Sequence, residues 1–200
     1  MIAEPIDDIG TPWQPDPMRQ KAGSYTIEDL LSLPPDAPRV ELFDGVVHVL
    51  PSPTEPHQDI TGLLWSWLRA NAPREFKAVL ALGVAINERY TREPDVILRY
   101  SAVENPGHFV TADRVVLAVE VVSVNTKRTD RLVKPVDCAD AGIRYYWRIE
   151  QDPVHVFAYR LAGWPGPSGR RDYELVADST EVLELTEPFE IKLPISEITP

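Results

Sequence analysis

The sequence predicts a mixed α/β domain in which a central β-sheet is flanked by helices. Three observations point there. Val115-Val-Leu-Ala-Val-Glu-Val-Val122 is a near-continuous β-branched run, which is how a strand covered on both faces reads. Between Thr54 and Leu68, apolar residues recur at helical spacing instead. Proline supplies 20 of 200 residues, about twice ordinary usage, and this excludes an all-helical bundle because proline breaks helix interiors.

The elements follow in chain order. Residues 1–23 carry Pro5, Pro12, Pro15 and Pro17 with little periodicity and read as an extended arm, ordered only where it docks. Residues 24–200 read as one domain. Thr26 caps a short helix over Ile27–Leu33, with Asp29 in its first turn, and Pro34, Pro35 and Pro38 end it. Asp44-Gly45, between two apolar stretches, marks a hairpin. A two-residue loop pairs Phe43 with Val46, Leu42 with Val47 and Glu41 with His48. Val40, Leu42, Val47 and Val49 then share one face, and Glu41, Phe43, Val46 and His48 the other.

Thr54 caps a second helix that tolerates Pro56 in its first turn. Its core face holds Ile60, Leu63, Leu64, Trp67 and Leu68, with His57 toward that side. Phe76–Ile86 and Val96–Tyr100 read as strands, as does the 115–122 run. Asp130–Ala141 reads as a helix with Gly142 at its C-terminus, and Pro135 either kinks it or marks its true first turn. Ile143–Ile149 and Val154–Leu161 form a hairpin around Asp152-Pro153. After a Pro/Gly-rich loop over Gly163–Gly169, short strands are expected near Tyr173–Val176, Glu181–Leu185 and Phe189–Ile191.

Composition bounds the function. Hydrophobic residues at 44% and charged residues at 26% describe a folded chain. No apolar run approaches the ~18 residues of a membrane span, and no basic-then-apolar leader opens the chain. The lone Cys138 forms neither an internal disulfide nor a multi-cysteine zinc site. A soluble cytoplasmic protein is expected. The net charge of -11 argues against broad adhesion to nucleic acid, but it is unevenly placed. Residues 172–200 hold eight acids and one base, whereas Glu120 to Arg148 holds six bases and four acids.

Glu120 is the most informative residue. It interrupts a stretch that otherwise favours burial, and a buried carboxylate needs a counter-charge, a proton or a metal ion. Asp95 follows Pro94 at the mouth of Val96-Ile-Leu98. If the two strands are neighbours, both carboxylates converge, as hard divalent cations favour. The plainer reading pairs Glu120 with Lys134 or an arginine and leaves Asp95 as a turn residue. Lys134, just past the loop after Glu120, either neutralises phosphate charge or is a solvated helix lysine. Glu41 either supplies a third carboxylate or is a surface strand residue facing His48. His57 reads more readily as a core-edge histidine than as a substrate contact. Cys138 reads as a small buried apolar residue. Tyr145, Tyr146 and Trp147 read as strand packing. No phosphate-cradling glycine loop, dinucleotide fingerprint, serine elbow or zinc spacing is present.

An ordered set remains: Val40-Glu-Leu-Phe-Asp-Gly45, Pro51-Ser-Pro53, His57, Glu93-Pro-Asp95, Val119-Glu-Val-Val-Ser123, Thr126, Asp130, Lys134, Ala141-Gly-Ile143 and Tyr146-Trp147. Over Tyr25 to Leu161 it resembles the Uma-two family of bacterial endonuclease-like proteins, a branch of the PD-(D/E)XK nuclease superfamily. The resemblance implies a restriction-endonuclease-like core and an Mg²⁺- or Mn²⁺-dependent endonuclease acting on DNA. It implies that Asp95 and Glu120 hold the cation, with the Val121 carbonyl beside them, and that Glu41 assists. The superfamily places a lysine two residues after the glutamate; Val122 stands there, and the family's displaced lysine maps to Lys134. Pro135 after Lys134, and Cys138 where tyrosine is common, depart from the pattern. Cutting both strands of a duplex is easiest with two sites, so a homodimer suits that task. Two other readings stand beside it: an interaction module that kept the fold and lost turnover, and a hydrolase of small phosphorylated substrates.

Overall fold

The computed structural model of the chain describes residues 13–102, 107–123, 127–163 and 169–200. Pro5 and Pro12 of the expected arm, Thr126, and the inside of the Gly163–Gly169 loop lie outside them. The described helices are α1 (Ile27–Leu31), α2 (Glu55–Asn71) and α3 (Lys134–Asp140). The strands are β1 (Val40–Phe43), β2 (Val46–Val49), β3 (Phe76–Leu80), β4 (Gly83–Asn87), β5 (Tyr90–Arg92), β6 (Val96–Tyr100), β7 (Phe109–Thr111), β8 (Val115–Val121), β9 (Tyr145–Gln151), β10 (Val154–Leu161), β11 (Tyr173–Ser179), β12 (Val182–Leu185) and β13 (Ile191–Pro194). Two compact units emerge: Met1–Pro51 with Asn87–Thr91, and Ser52–Ile86 with Arg92–Pro200.

The first unit is built on the expected hairpin. Asp44 and Gly45 both take positive φ, as the tight hairpin turn demands, and the register pairs Glu41 with His48 and Leu42 with Val47. Gly45 is required twice over, since a Cβ there would stand 2.9 Å from the Gly23 backbone. Gln20 docks on the hairpin, its amide donating to Val47 O at 2.8 Å and accepting from Val47 N at 3.0 Å. Thr26 N donates to Asp29 Oδ2 at 2.8 Å, closing the first turn of α1. The Arg19 guanidinium on the same carboxylate holds Asp29 below the usual carboxylate range. The helix stops at Leu31 rather than Leu33, where the Ser32 hydroxyl caps Asp29 O.

The second unit is a six-stranded mixed sheet in the order β11-β10-β9-β8-β6-β3, with β8 and β9 parallel and the other pairs antiparallel. Every residue of β8 is buried, as its β-branched run foretold. Alternation along the strands separates two layers. Leu98, Val119, Trp147 and Ile149 pack with Ile60, Leu64, Trp67 and Leu68 of α2. Ile97, Ala118 and Tyr146 pack with Cys138 and Ile143. Leu63, expected in the core face of α2, is exposed instead.

Three expectations need correction. The apolar stretch Phe76–Ile86 is not one strand: Ala81, at φ 43°, breaks it into β3 and β4. Beyond the break β4 pairs in parallel with β7, where Gly83 packs so closely that a Cβ would overlap the Phe109 ring. Second, Asp130–Ala141 is not one regular helix. Thr129–Val133 forms a π-helical turn, and α3 begins only at Lys134. Pro135 thus follows the π-helical turn directly, and the Asp130 carbonyl, which its missing N–H cannot meet, accepts from the Tyr146 hydroxyl at 3.0 Å. Gly142, at φ 83°, closes α3: Gly142 N donates to Ala139 O and Ile143 N to Cys138 O, both at 3.0 Å. Third, the last strand runs from Ile191 to Pro194, not Phe189–Ile191, and pairs with β12.

Candidate active site

The site lies in the second unit, at one end of neighbouring strands β6 and β8. Val96 pairs with Val119 across them. Carrying that register on brings Asp95 opposite Glu120 and Pro94 opposite Val121. The Ala81 break reinforces this placement, because Ala81 N donates to Asp95 O at 3.1 Å. The ladder ends here through side-chain chemistry: Val121 N donates to Asp95 Oδ2 at 2.8 Å rather than to a backbone carbonyl. A strand residue's N–H and C=O point to the same side. The Val121 carbonyl therefore leaves the strand on the same side as the amide that meets Asp95.

Glu120 is buried on the α3 side of the sheet. Its Oε2 accepts from Lys134 Nζ at 2.7 Å. Its Oε1 is buried and meets no hydrogen-bond partner among the described residues. Burial is the main force pushing this carboxyl well above its ordinary range; Asp95 and Asp130 push it further, and the Lys134 ammonium opposes them. Lys134 reaches inward despite Pro135, and its Nζ also stands 3.3 Å from Asp130 Oδ1. The amine meets Glu120 although position 122 is valine. Val122 instead serves the sheet: its N–H donates to Ile149 O at 2.8 Å, and its carbonyl accepts from Gln151 Nε2 at 2.7 Å.

The lysine's platform is rigid. The Tyr146 hydroxyl donates to Asp130 O at 3.0 Å, holding the π-helical turn. The buried Arg92 grips Asp137 of α3 through Nε at 2.9 Å and Nη2 at 2.6 Å. Cys138 is buried in α3, and burial raises its thiol pKa, which fits an inert packing residue.

Two participants went unassigned by sequence reasoning. His57, on the buried side of the first turn of α2, brings Nε2 to 3.1 Å from Asp95 Oδ2. Its place on the apolar stripe with Ile60 and Leu64 signalled burial but gave no partner. Asp130 is buried beside the amine; its spacing four residues before Lys134 was the available signal. Glu41 belongs to the first unit, where it is buried on β1 opposite the exposed His48.

Asp95, Glu120 and Val121 thus stand near one another at this strand end. Among the described residues, no group of three or more His, Cys, Asp or Glu side chains stands together as a metal cluster. A cation here would rest on two carboxylates, a backbone carbonyl and solvent or substrate oxygen.

With this geometry in view, comparison with known proteins is informative. The model of the Uma2 family, described as "putative restriction endonuclease", matches residues 27–196. This chain belongs to the Uma2 family. A solved structure of a "putative nuclease belonging to DUF820" from Anabaena variabilis ATCC 29413 is similar over 86% of this chain and 96% of that one, with a TM-score of 0.64 and 21% identity. That likeness is one of fold: a mixed α/β nuclease-like core with a central sheet. Comparison with curated proteins gives no match. No helix among the described residues is long and apolar enough to cross a membrane.

Proposed function

We propose that this Uma2 chain is a metal-dependent phosphodiesterase acting on DNA, with Asp95, Glu120 and the Val121 carbonyl as cation ligands and Lys134 as the catalytic cation of the protein itself. The observation that carries the reading is the orphaned Oε1 of buried Glu120, beside Asp95 and next to an amine. An unmet buried acceptor is a place for a metal ion or a water. Two carboxylates with a carbonyl suit a hard divalent ion, which keeps waters and takes phosphate oxygens for its remaining positions.

When bound, the cation supplies Lewis-acid polarisation of a phosphate and a lowered pKa for water. The chain's own residues do the rest. Asp95 is pre-oriented by the Val121 amide and the His57 ring, so little reorganisation is needed to present its carboxylate. Lys134, held by Glu120 and Asp130, offers an ammonium to the negative charge that develops on phosphate. Burial around Glu120 lowers the local dielectric and strengthens both effects. The supporting part given to Glu41 rests on the family pattern.

The test is cleavage of duplex DNA in Mg²⁺ or Mn²⁺. Asp95→Ala and Glu120→Ala are expected to abolish cleavage while circular dichroism shows an intact fold. Undiminished cleavage by either variant overturns the assignment. A panel including RNA and nucleotides separates a DNA enzyme from a hydrolase of small phosphorylated substrates. A second reading, a nuclease fold without turnover, is favoured by how fully Glu120 and Asp130 occupy the Lys134 amine. Wild-type protein inert on the whole panel would decide for it.

A further inference from the structure

We infer that a groove beside α3, on the same face of the sheet as Glu120, is a binding site for a phosphate group. The ligand's identity as nucleic-acid backbone rests on the phosphodiesterase reading; the groove itself does not. It has a volume of about 300 Å³, and Arg131, Arg148, Arg171, Pro135, Tyr159 and Tyr173 line it. Three arginines thus line one groove in a chain whose net charge is -11. Asp172 also lines the groove, and Glu150 stands behind it.

The two acids do not use up the three bases. Arg131 spends its fork on Glu150, through Nε at 2.9 Å and Nη2 at 2.8 Å. Arg148 Nε comes within 3.3 Å of the same carboxylate without hydrogen-bond geometry, and it is a buried donor with no hydrogen-bond partner among the described residues. Two guanidiniums therefore share one carboxylate. The Arg148 guanidinium is held in place by aromatic rings, 4.4 Å from the Phe157 centroid and 5.8 Å from that of Tyr159. A fixed planar guanidinium with an unmet N–H matches phosphate oxygens, which arginine takes through paired bonds. Tyr159 gives the groove an aromatic wall, and the Tyr173 hydroxyl is tied to Ile143 O at 2.7 Å.

Position links the groove to the candidate site. Arg148 is the register partner of Glu120 on the adjacent parallel strand, so both side chains leave the same face of the sheet. Pro135, which lines the groove, directly follows Lys134. Arg148 stands about one strand spacing, ~4.8 Å, to the side of Glu120, and Arg171 lies further across the sheet, just before β11.

The test measures binding without turnover. Fluorescence anisotropy of a labelled 20-base-pair duplex, in a chelating buffer, is followed against salt for the full chain, Arg148→Gln and Arg171→Gln. Arg171 is exposed, so its variant keeps the test decisive if Arg148→Gln misfolds. Each variant is expected to weaken binding about fivefold or more and to flatten the log–log salt slope by about one. Inorganic phosphate is titrated as a second probe. Phosphate binding without duplex binding, lost in Arg171→Gln, keeps the site and assigns it to a small phosphorylated ligand. Wild-type affinity and slope in both variants, or no binding of either probe by the full chain, overturns the proposal. Cleavage reports separately: a chain that never cleaves but loses binding in Arg171→Gln keeps the groove and loses the phosphodiesterase reading. Cleavage that needs Asp95, with both arginine variants binding as wild type, does the reverse.

Discussion

Glu120→Gln should make the metal-free protein more stable at neutral pH. The substitution keeps the side chain's shape and removes its charge. The sign follows from linkage. Burial raises the folded-state pKa of Glu120 above its ordinary value of 4.5, so the folded state binds this proton more tightly than the unfolded chain does. Stability is then full below pH 4.5 and falls as pH rises toward the folded-state value. Glutamine, which cannot ionise, should recover the stability that the buried carboxylate forfeits at neutral pH. Against this, glutamine weakens the charge-assisted bond from Lys134, worth about 1 kcal/mol beyond a neutral bond. The amine keeps its contact with Asp130. The net expectation is a higher Tm for the variant at neutral pH. Thermal unfolding in chelator, at pH 4.5 and at pH 7.5, measures it. The gain should appear at pH 7.5 and shrink at pH 4.5. A variant less stable than wild type at pH 7.5, or a difference that ignores pH, refutes the claim that Glu120 is held at a cost.

Two further outcomes probe the frame around the site. Gly83→Ala should cost about 1–3 kcal/mol in urea unfolding, because the added methyl overlaps the Phe109 ring and stands 2.9 Å from His108 O; an unchanged midpoint would show that β4 and β7 are not so tightly apposed. Cys138 should resist a thiol reagent at pH 8 in the native protein and react at once in denaturant, since the side chain is buried and its thiol pKa is raised; fast native labelling would contradict the packing of α3.

Much of this architecture was legible in the sequence because single residues dictated it. Asp44-Gly45 fixed the hairpin and, through it, the Glu41–His48 register. The β-branched run around Glu120 specified a doubly buried strand, and a carboxylate inside it had to have a partner. What was not legible depended on distant contacts. Nothing local marks Ala81 as a break, because its positive φ is sustained by the bond to Asp95 O across the sheet. The π-helical turn was hidden for the same reason: Pro135 announced an irregularity, but the Tyr146 hydroxyl on Asp130 O helps hold its form. His57 and Asp130 entered the site by tertiary placement. Helical spacing put His57 toward the core without showing what it would meet, and Asp130 carried only its place four residues before Lys134.

The central claim is that Asp95 and Glu120 share one cation beside the Lys134 amine. Titration of the purified chain with Mn²⁺ at pH 8, followed by electron paramagnetic resonance of the free ion, tests it most directly. One saturable site per chain, lost in Asp95→Ala, is the predicted result. Binding that persists unchanged in Asp95→Ala, or a titration with no saturable site, would contradict it.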